Sequence, residues 1–273
     1  MLRGLHTAGS GMISQQRYQN SLSNNMSNAL TPGYKQDRAT FRAFPEMLIQ
    51  NIQSQTLPTN RKLNIPNNHI VGSLHTGTYM QEDVPLFTQG DIEQTGIGTD
   101  LALVNQATPD ETGFLFFAVQ NEDGEPRLTR NGNFTVDAQG FLTTTDGHYV
   151  LNTDGERIQT GTETFEVTAN GQVISPIDTA MLQVAYQENA NTLTKEGNNL
   201  WALEEGDAIG DARATDGVQF SITQGALERS NVNPQQMMTE MMRSYRMFEM
   251  NQQVVRMFDQ SLDLAANQVG RLR

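Results

Sequence analysis

No cysteine occurs among the 273 residues, which excludes disulfides, thiolate metal sites and a cysteine nucleophile together and leaves the compartment open. No run of about 18 apolar residues is present in a chain with 37% hydrophobic residues and a mean hydropathy of −0.50, so a membrane-spanning helix is excluded. Met1-Leu2-Arg3-Gly4 passes straight into a mixed polar pattern, without the apolar centre of about 7–15 residues that marks a cleavable secretion signal. The chain is therefore expected either to stay in the cytoplasm or to leave by a route that reads no such signal. Acids are missing from residues 1–35, which carry Arg3, Arg17 and Lys35. Residues 230–273 hold five arginines against Glu240, Glu249, Asp259 and Asp263, so the formal charge of −13 is concentrated in the middle. A strongly acidic body repels phosphate backbones, and nucleic acid is not an expected partner.

Catalytic signatures are also missing. There is no G-x-S-x-G elbow, P-loop or Rossmann fingerprint; Gly96-Ile97-Gly98 lacks the third glycine at the required offset. His6, His69, His75 and His148 include no pair at metal-binding helical spacing, and solvated or structural roles are expected for them. No cofactor or metal site is indicated. Acids such as those of Glu122-Asp123-Gly124-Glu125 sit beside glycine, as turn residues do.

What is present divides by period. In the middle, Gly124, Gly132, Gly140, Gly147, Gly155, Gly161 and Gly171 punctuate short apolar stretches such as Phe114–Val119, Phe134–Val136 and Tyr149–Leu151. Asn131-Gly132, Asp146-Gly147, Asp154-Gly155 and Asn170-Gly171 are dipeptides that accept positive φ in tight hairpins, which predicts an antiparallel meander. Further strands are expected at 181–187, 199–203 and 217–223. At the ends the period is helical. Met237, Met241, Ser244, Phe248, Asn251, Val255, Phe258, Leu262, Ala265, Val269 and Leu272 follow a 4,3 spacing, as do Leu5, Ala8, Met12, Gln15, Gln19, Leu22, Met26 and Ala29. Stripes of this kind belong to helices that pack along another helix. Thr31-Pro32-Gly33 stops the first helix, and Asn233-Pro234 suits the start of the second. Methionines 237, 238, 241, 242, 247, 250 and 257 cluster in the second helix, where unbranched side chains suit adaptable packing.

A short repeat lies near the limits of the β-rich part: Gln89-Gly90-Asp91-Ile92-Glu93-Gln94-Thr95 recurs in form as Gln224-Gly225-Ala226-Leu227-Glu228-Arg229-Ser230. The expected layout is α+β: an N-terminal helix in 1–35, an extended connector over 36–86 with a short helix near 45–53, a central antiparallel β-rich domain over 87–229, and a C-terminal helix in 230–273. The two heptad helices are expected to pair as a coiled-coil segment.

Ser27-Asn28-Ala29-Leu30-Thr31-Pro32-Gly33-Tyr34-Lys35 resembles the signature near the N-terminus of bacterial flagellar rod and hook proteins. Gly113–Val119, Leu128–Phe134 and Gly140–Thr144 are similar to the core block of the distal rod group. Gln224–Asn233, followed by Tyr245–Asn251, is similar to its closing signature. The extra rod paralogues of Gram-positive bacteria are the nearest fit. This resemblance implies a structural, non-enzymatic axial subunit of the flagellar basal body, exported through the flagellar type III apparatus without signal cleavage. It also implies assembly into a rod with copies of itself and other rod and hook subunits, and a role in motility. The expected assembly interface comprises Leu5, Met12, Leu22, Met26, Met241, Phe248, Val255, Phe258, Leu262 and Val269; the motif residues are Asn28, Ala29, Thr31, Pro32, Gly33, Tyr34, Ser230, Asn231 and Val232. The competing reading is an envelope enzyme such as a glycan hydrolase, oligomerised by its helices and using acids such as Glu122 or Glu163.

Overall fold

The computed structural model describes residues 2–57, 63–110, 112–203 and 209–269. The chain is α+β, with helix α1 (Leu2–Ser27) and helix α2 (Pro234–Leu264) at the ends and antiparallel strands between them. It divides into two compact units: the first holds the residues up to Asn24, Ala39–Asp83 and the chain from Gln235 onward, the second Asn25–Arg38 and Val84–Pro234.

In the first unit, α1 and α2 run antiparallel. Ser244 Oγ donates to Gln15 Oε1 at 2.8 Å, Tyr18 donates to Glu240 at 2.6 Å, Asn251 stands against Gly11, and the Phe258 ring lies over Gly4. Numbers fall along α2 as they rise along α1, at the spacing of the two stripes. Another side of α1 meets strand residues: Ser21 donates to Asp83 at 2.9 Å, and Tyr18 packs edge-on against Phe41. α2 begins at Pro234 and ends in a π-helical turn over Ala265–Val269.

The segment 36–86, read from the sequence as a connector, carries four strands among its described residues. Asp37–Ala43 pairs with Thr78–Pro85, and Met47–Leu57 pairs with Leu63–Leu74 over eleven rows with one irregularity at Ile49/Gln50. The helix expected near 45–53 is thus a strand. Met47–Leu57 has no 3.6-residue stripe, and its ladder partner lies beyond Pro58, where local pattern reading does not see it.

The second unit is built on Phe114–Gln120. One edge of this strand pairs with Pro126–Thr129; the other is shared by Val184–Gln187, opposite Phe114–Phe117, and Tyr149–Val150, opposite Val119–Gln120. Leu115, Phe117 and Val119 enter one apolar cluster, while Phe114, Phe116 and Ala118 enter another. A strand covered on both faces reads as an unbroken apolar run because both sides of its two-residue alternation are buried. Gly147, Gly155 and Gly171 take the positive φ that their dipeptides predicted. Asn131-Gly132 does not: Gly132 is kept small by the Leu101 carbonyl, which a Cβ would strike. The strands expected late in the chain are Thr179–Met181, Val184–Gln187, Leu200–Ala202 and Gln219–Gln224.

Candidate functional site: a buried charged junction and a paired helical face

The two copies of the short repeat are hydrogen-bonded to each other. Ile92–Gln94 and Ala226–Glu228 form an antiparallel pair, with Glu228 opposite Ile92 and Ala226 opposite Gln94. This pairing aims the Glu228 side chain, 2% exposed, at two buried cations. Its Oε1 accepts from Lys35 Nζ at 2.6 Å and from the Gly90 amide at 2.9 Å; its Oε2 accepts from Arg130 Nε. Arg130 also donates to the carbonyls of Leu115 (2.7 Å) and Leu103 (2.5 Å) and to Asn105 (2.9 Å), and Lys35 donates to the Thr88 carbonyl at 2.8 Å. Both cations stand over the Phe114 ring at 4.7 Å from its centroid.

One carboxylate therefore serves two cations in a buried site. Burial alone would raise the pKa of Glu228, but the charges of Arg130 and Lys35 prevail and hold it below the usual carboxylate range. Burial lowers Lys35 to about 8, against the opposing pull of Glu228.

The chain reaches this junction through Thr31-Pro32-Gly33-Tyr34-Lys35. The Gly33 amide donates to the Glu228 carbonyl at 2.8 Å, and Asn199 donates to the Pro32 carbonyl at 3.4 Å. Asn231 closes the other side: its oxygen accepts the Gln36 amide at 2.7 Å, and its amide nitrogen reaches the Leu86 carbonyl at 2.8 Å. Gly33 has φ +69, and a Cβ there would lie 2.5 Å from the Arg130 carbonyl carbon. Gly33→Ala is expected to lower the thermal stability of this unit by more than the roughly 1–3 kcal/mol of a left-handed non-glycine residue, because it also displaces the arginine backbone. Calorimetry of the purified protein checks this.

Of the expected interface residues, Leu22 is buried, and Leu5, Met12, Met26, Met241, Phe248, Val255, Phe258 and Leu262 are half-buried; the side chain of Val269 lies outside the described residues. Those of α2 lie on the side that carries Ser244, Asn251 and Phe258 toward α1 within the same chain. Among the motif residues, Asn28 accepts from the Thr31 hydroxyl at 3.2 Å, Ala29 and Val232 are buried, Tyr34 donates to Asn25 at 3.1 Å, and Ser230 accepts from the Val232 amide at 3.3 Å.

Glu122 and Glu163 are exposed in separate turns. Among the described residues no three His, Asp or Glu side chains are placed to share a metal ion. His6 is exposed, His75 forms an exposed pair with Glu46 at 3.2 Å, and His148 is buried; the side chain of His69 lies outside the described residues.

Comparison with known proteins bears on the whole length. The chain is 40% identical over 283 residues to "Flagellar hook-basal body complex protein FlhO" of Bacillus subtilis, with all of both chains covered. The chain belongs to the flagellar hook and basal-body rod protein family. It is also 29% identical to "Flagellar basal-body rod protein FlgG" of Borreliella burgdorferi, with 98% of each chain covered, and 24% identical to "Flagellar hook-basal body complex protein FlhP" of Bacillus subtilis, with 97% and 98% covered. Three family descriptions match in order. These are "Flagella basal body rod protein" over residues 5–35, "Flagellar hook protein FlgE/F/G D1 domain" over 112–175, and "Flagellar basal body rod FlgEFG protein C-terminal" over 223–269.

Each of these spans contributes one charge to the junction: Lys35, Arg130 and Glu228 respectively. All three sit inside the motifs that carry the family resemblance, yet the sequence alone assigned none of them a role. The available signal was the repeat itself, whose single non-turn acid in the second copy is Glu228.

Proposed function

We propose that the protein is a structural axial subunit of the bacterial flagellar basal-body rod. In this reading α1 and α2, paired as a coiled coil through Leu5, Met12, Leu22, Met26, Met241, Phe248, Val255, Phe258, Leu262 and Val269, form the layer that assembles into a torque-transmitting helical tube. Full-length similarity to rod and hook proteins is the observation that carries the reading. The antiparallel contact of the two terminal helices supports it, since helices of opposite ends brought together make one assembly element.

The partners are copies of the chain itself and other rod and hook subunits. The subunit reaches the basal body through the flagellar type III export apparatus. A helix with three glycines gains little from propensity alone, so packing against α2 and against neighbouring subunits supplies much of the order of α1. Deletion of the gene is expected to leave purified basal bodies without a complete rod and hook. Intact hooks in the deletion strain would overturn the assignment.

A further inference from the structure

Three glycines lie in α1, and two have a neighbour that explains them. A Cβ at Gly4 would strike the Phe258 ring, and one at Gly11 would come within 2.9 Å of the Asn251 amide. A Cβ at Gly9 would meet nothing. Glycine inside a helix is unfavourable relative to alanine, and among the described residues no contact within 4 Å compensates for it at Gly9.

Gly9 lines a groove of about 460 Å³ formed with Leu5, His6, Ser10, Ile13, Phe44 and Thr76. Ile13, on its rim, is 57% exposed. On 100° helical spacing, Arg3, His6, Ile13, Arg17 and Asn20 share one side of α1, all of them exposed, and the helix carries no acid. This face is basic with an apolar centre.

α2 offers the complement. Opposite its half-buried stripe it exposes Met242, Met250, Met257 and Leu264, each between 55% and 59%. Met250, Met257 and Leu264 repeat every seventh residue. Over 249–264 the exposed charges are Glu249, Asp259 and Asp263 against Arg256, so this stretch is acidic on balance. Glu249 and Asp263 stand two heptads apart, as do Arg3 and Arg17 on α1. Apolar row and neighbouring acids thus match apolar groove and neighbouring arginines in both character and spacing.

We infer that the groove at Gly9 and Ile13 receives the Met250–Met257–Leu264 row of a second copy of this chain. The inference rests on the rod reading and assigns the face through which one subunit meets the next. The half-buried stripes are occupied within the subunit, so contact between subunits falls to the outward faces. The absent Cβ at Gly9 leaves space for an incoming methionine, whose unbranched side chain adapts to such a recess.

Because the chain has no cysteine, disulfide trapping reports this contact alone. Full-length chain carrying Ile13→Cys and Met250→Cys, expressed in the deletion strain and mildly oxidised, is expected to give a ladder of cross-linked multimers from purified basal bodies. Either substitution alone is expected to give none, and Ile13→Cys with Asn170→Cys serves as the unpaired control. Gly9→Leu is expected to leave the monomer's melting temperature unchanged or raised and to abolish the ladder. Rods that assemble from the double variant without a ladder would overturn the groove assignment while leaving the rod reading intact. A cross-link to a different polypeptide in place of a ladder would overturn the choice of a second copy. Wild-type chain absent from basal bodies would overturn the rod reading itself, and the inference with it.

Discussion

Glu228→Gln is expected to destabilise the strand-rich unit by about 3–5 kcal/mol, the range seen when one partner of a buried ion pair is removed. The wild-type site holds one carboxylate between two cations, all three side chains at most 2% exposed. Neutralising Glu228 leaves both cations without a counter-charge, and they respond differently. Lys35 can shed its proton, since burial already lowers its pKa to about 8. Arg130 cannot, because a guanidinium stays charged at any pH the protein survives. The cost therefore falls on Arg130, and the visible result is a lower thermal transition for this unit in calorimetry.

Lys35→Met supplies the contrast. It leaves Glu228 and Arg130 one to one and keeps an apolar stem of similar length, so a loss within about 1.5 kcal/mol is expected, the worth of an ordinary hydrogen bond. It also removes a pH dependence. Between about 8 and the ordinary lysine value of 10.5 the unfolded chain holds a proton that the folded chain has released. Wild-type stability therefore rises with pH across that window. A Lys35→Met protein whose stability rises as steeply over the same window would show that another group is responsible.

Val255→Asp is expected to abolish incorporation into rods. Val255 is half-buried on the α2 stripe, between Asn251, which stands against Gly11, and Phe258, which lies over Gly4. A carboxylate there loses solvation on a half-buried stripe, and the charged residues nearest in sequence on α2, Arg256 and Asp259, are both exposed. The penalty within the helical layer is at least about 1–3 kcal/mol. The strand-rich unit has its own apolar clusters, so its thermal transition should stay nearly unchanged. Calorimetry and a motility assay on the same variant separate the two effects. Restored motility would remove Val255 from the paired face.

The helical ends were legible because a heptad stripe is a local property. Each position from Leu5 to Ala29 in the first stripe, and each described position from Met237 to Ala265 in the second, is buried or half-buried. Phe114–Val119 was legible for a similar reason, since an unbroken apolar run between turn signals leaves few alternatives to a covered strand. The hairpin of Met47–Leu57 and Leu63–Leu74 was not. Its residues mix amides with isolated aliphatics, Pro66 lies inside one strand, and the pairing that makes both segments strands is a relation between them. Asn131-Gly132 suits either a tight turn or a close backbone approach, and only the position of Leu101 separates the two.

By itself, then, the order of amino acids determined the two helices, the central strands and the family, since those depend on neighbours within a few residues and on motifs read in line. Tertiary structure alone decided that the repeats pair with each other and that Lys35, Arg130 and Glu228 meet. Residues some hundred positions apart acquire a common environment only when the chain between them has folded, and their charges carry no local pattern that announces it.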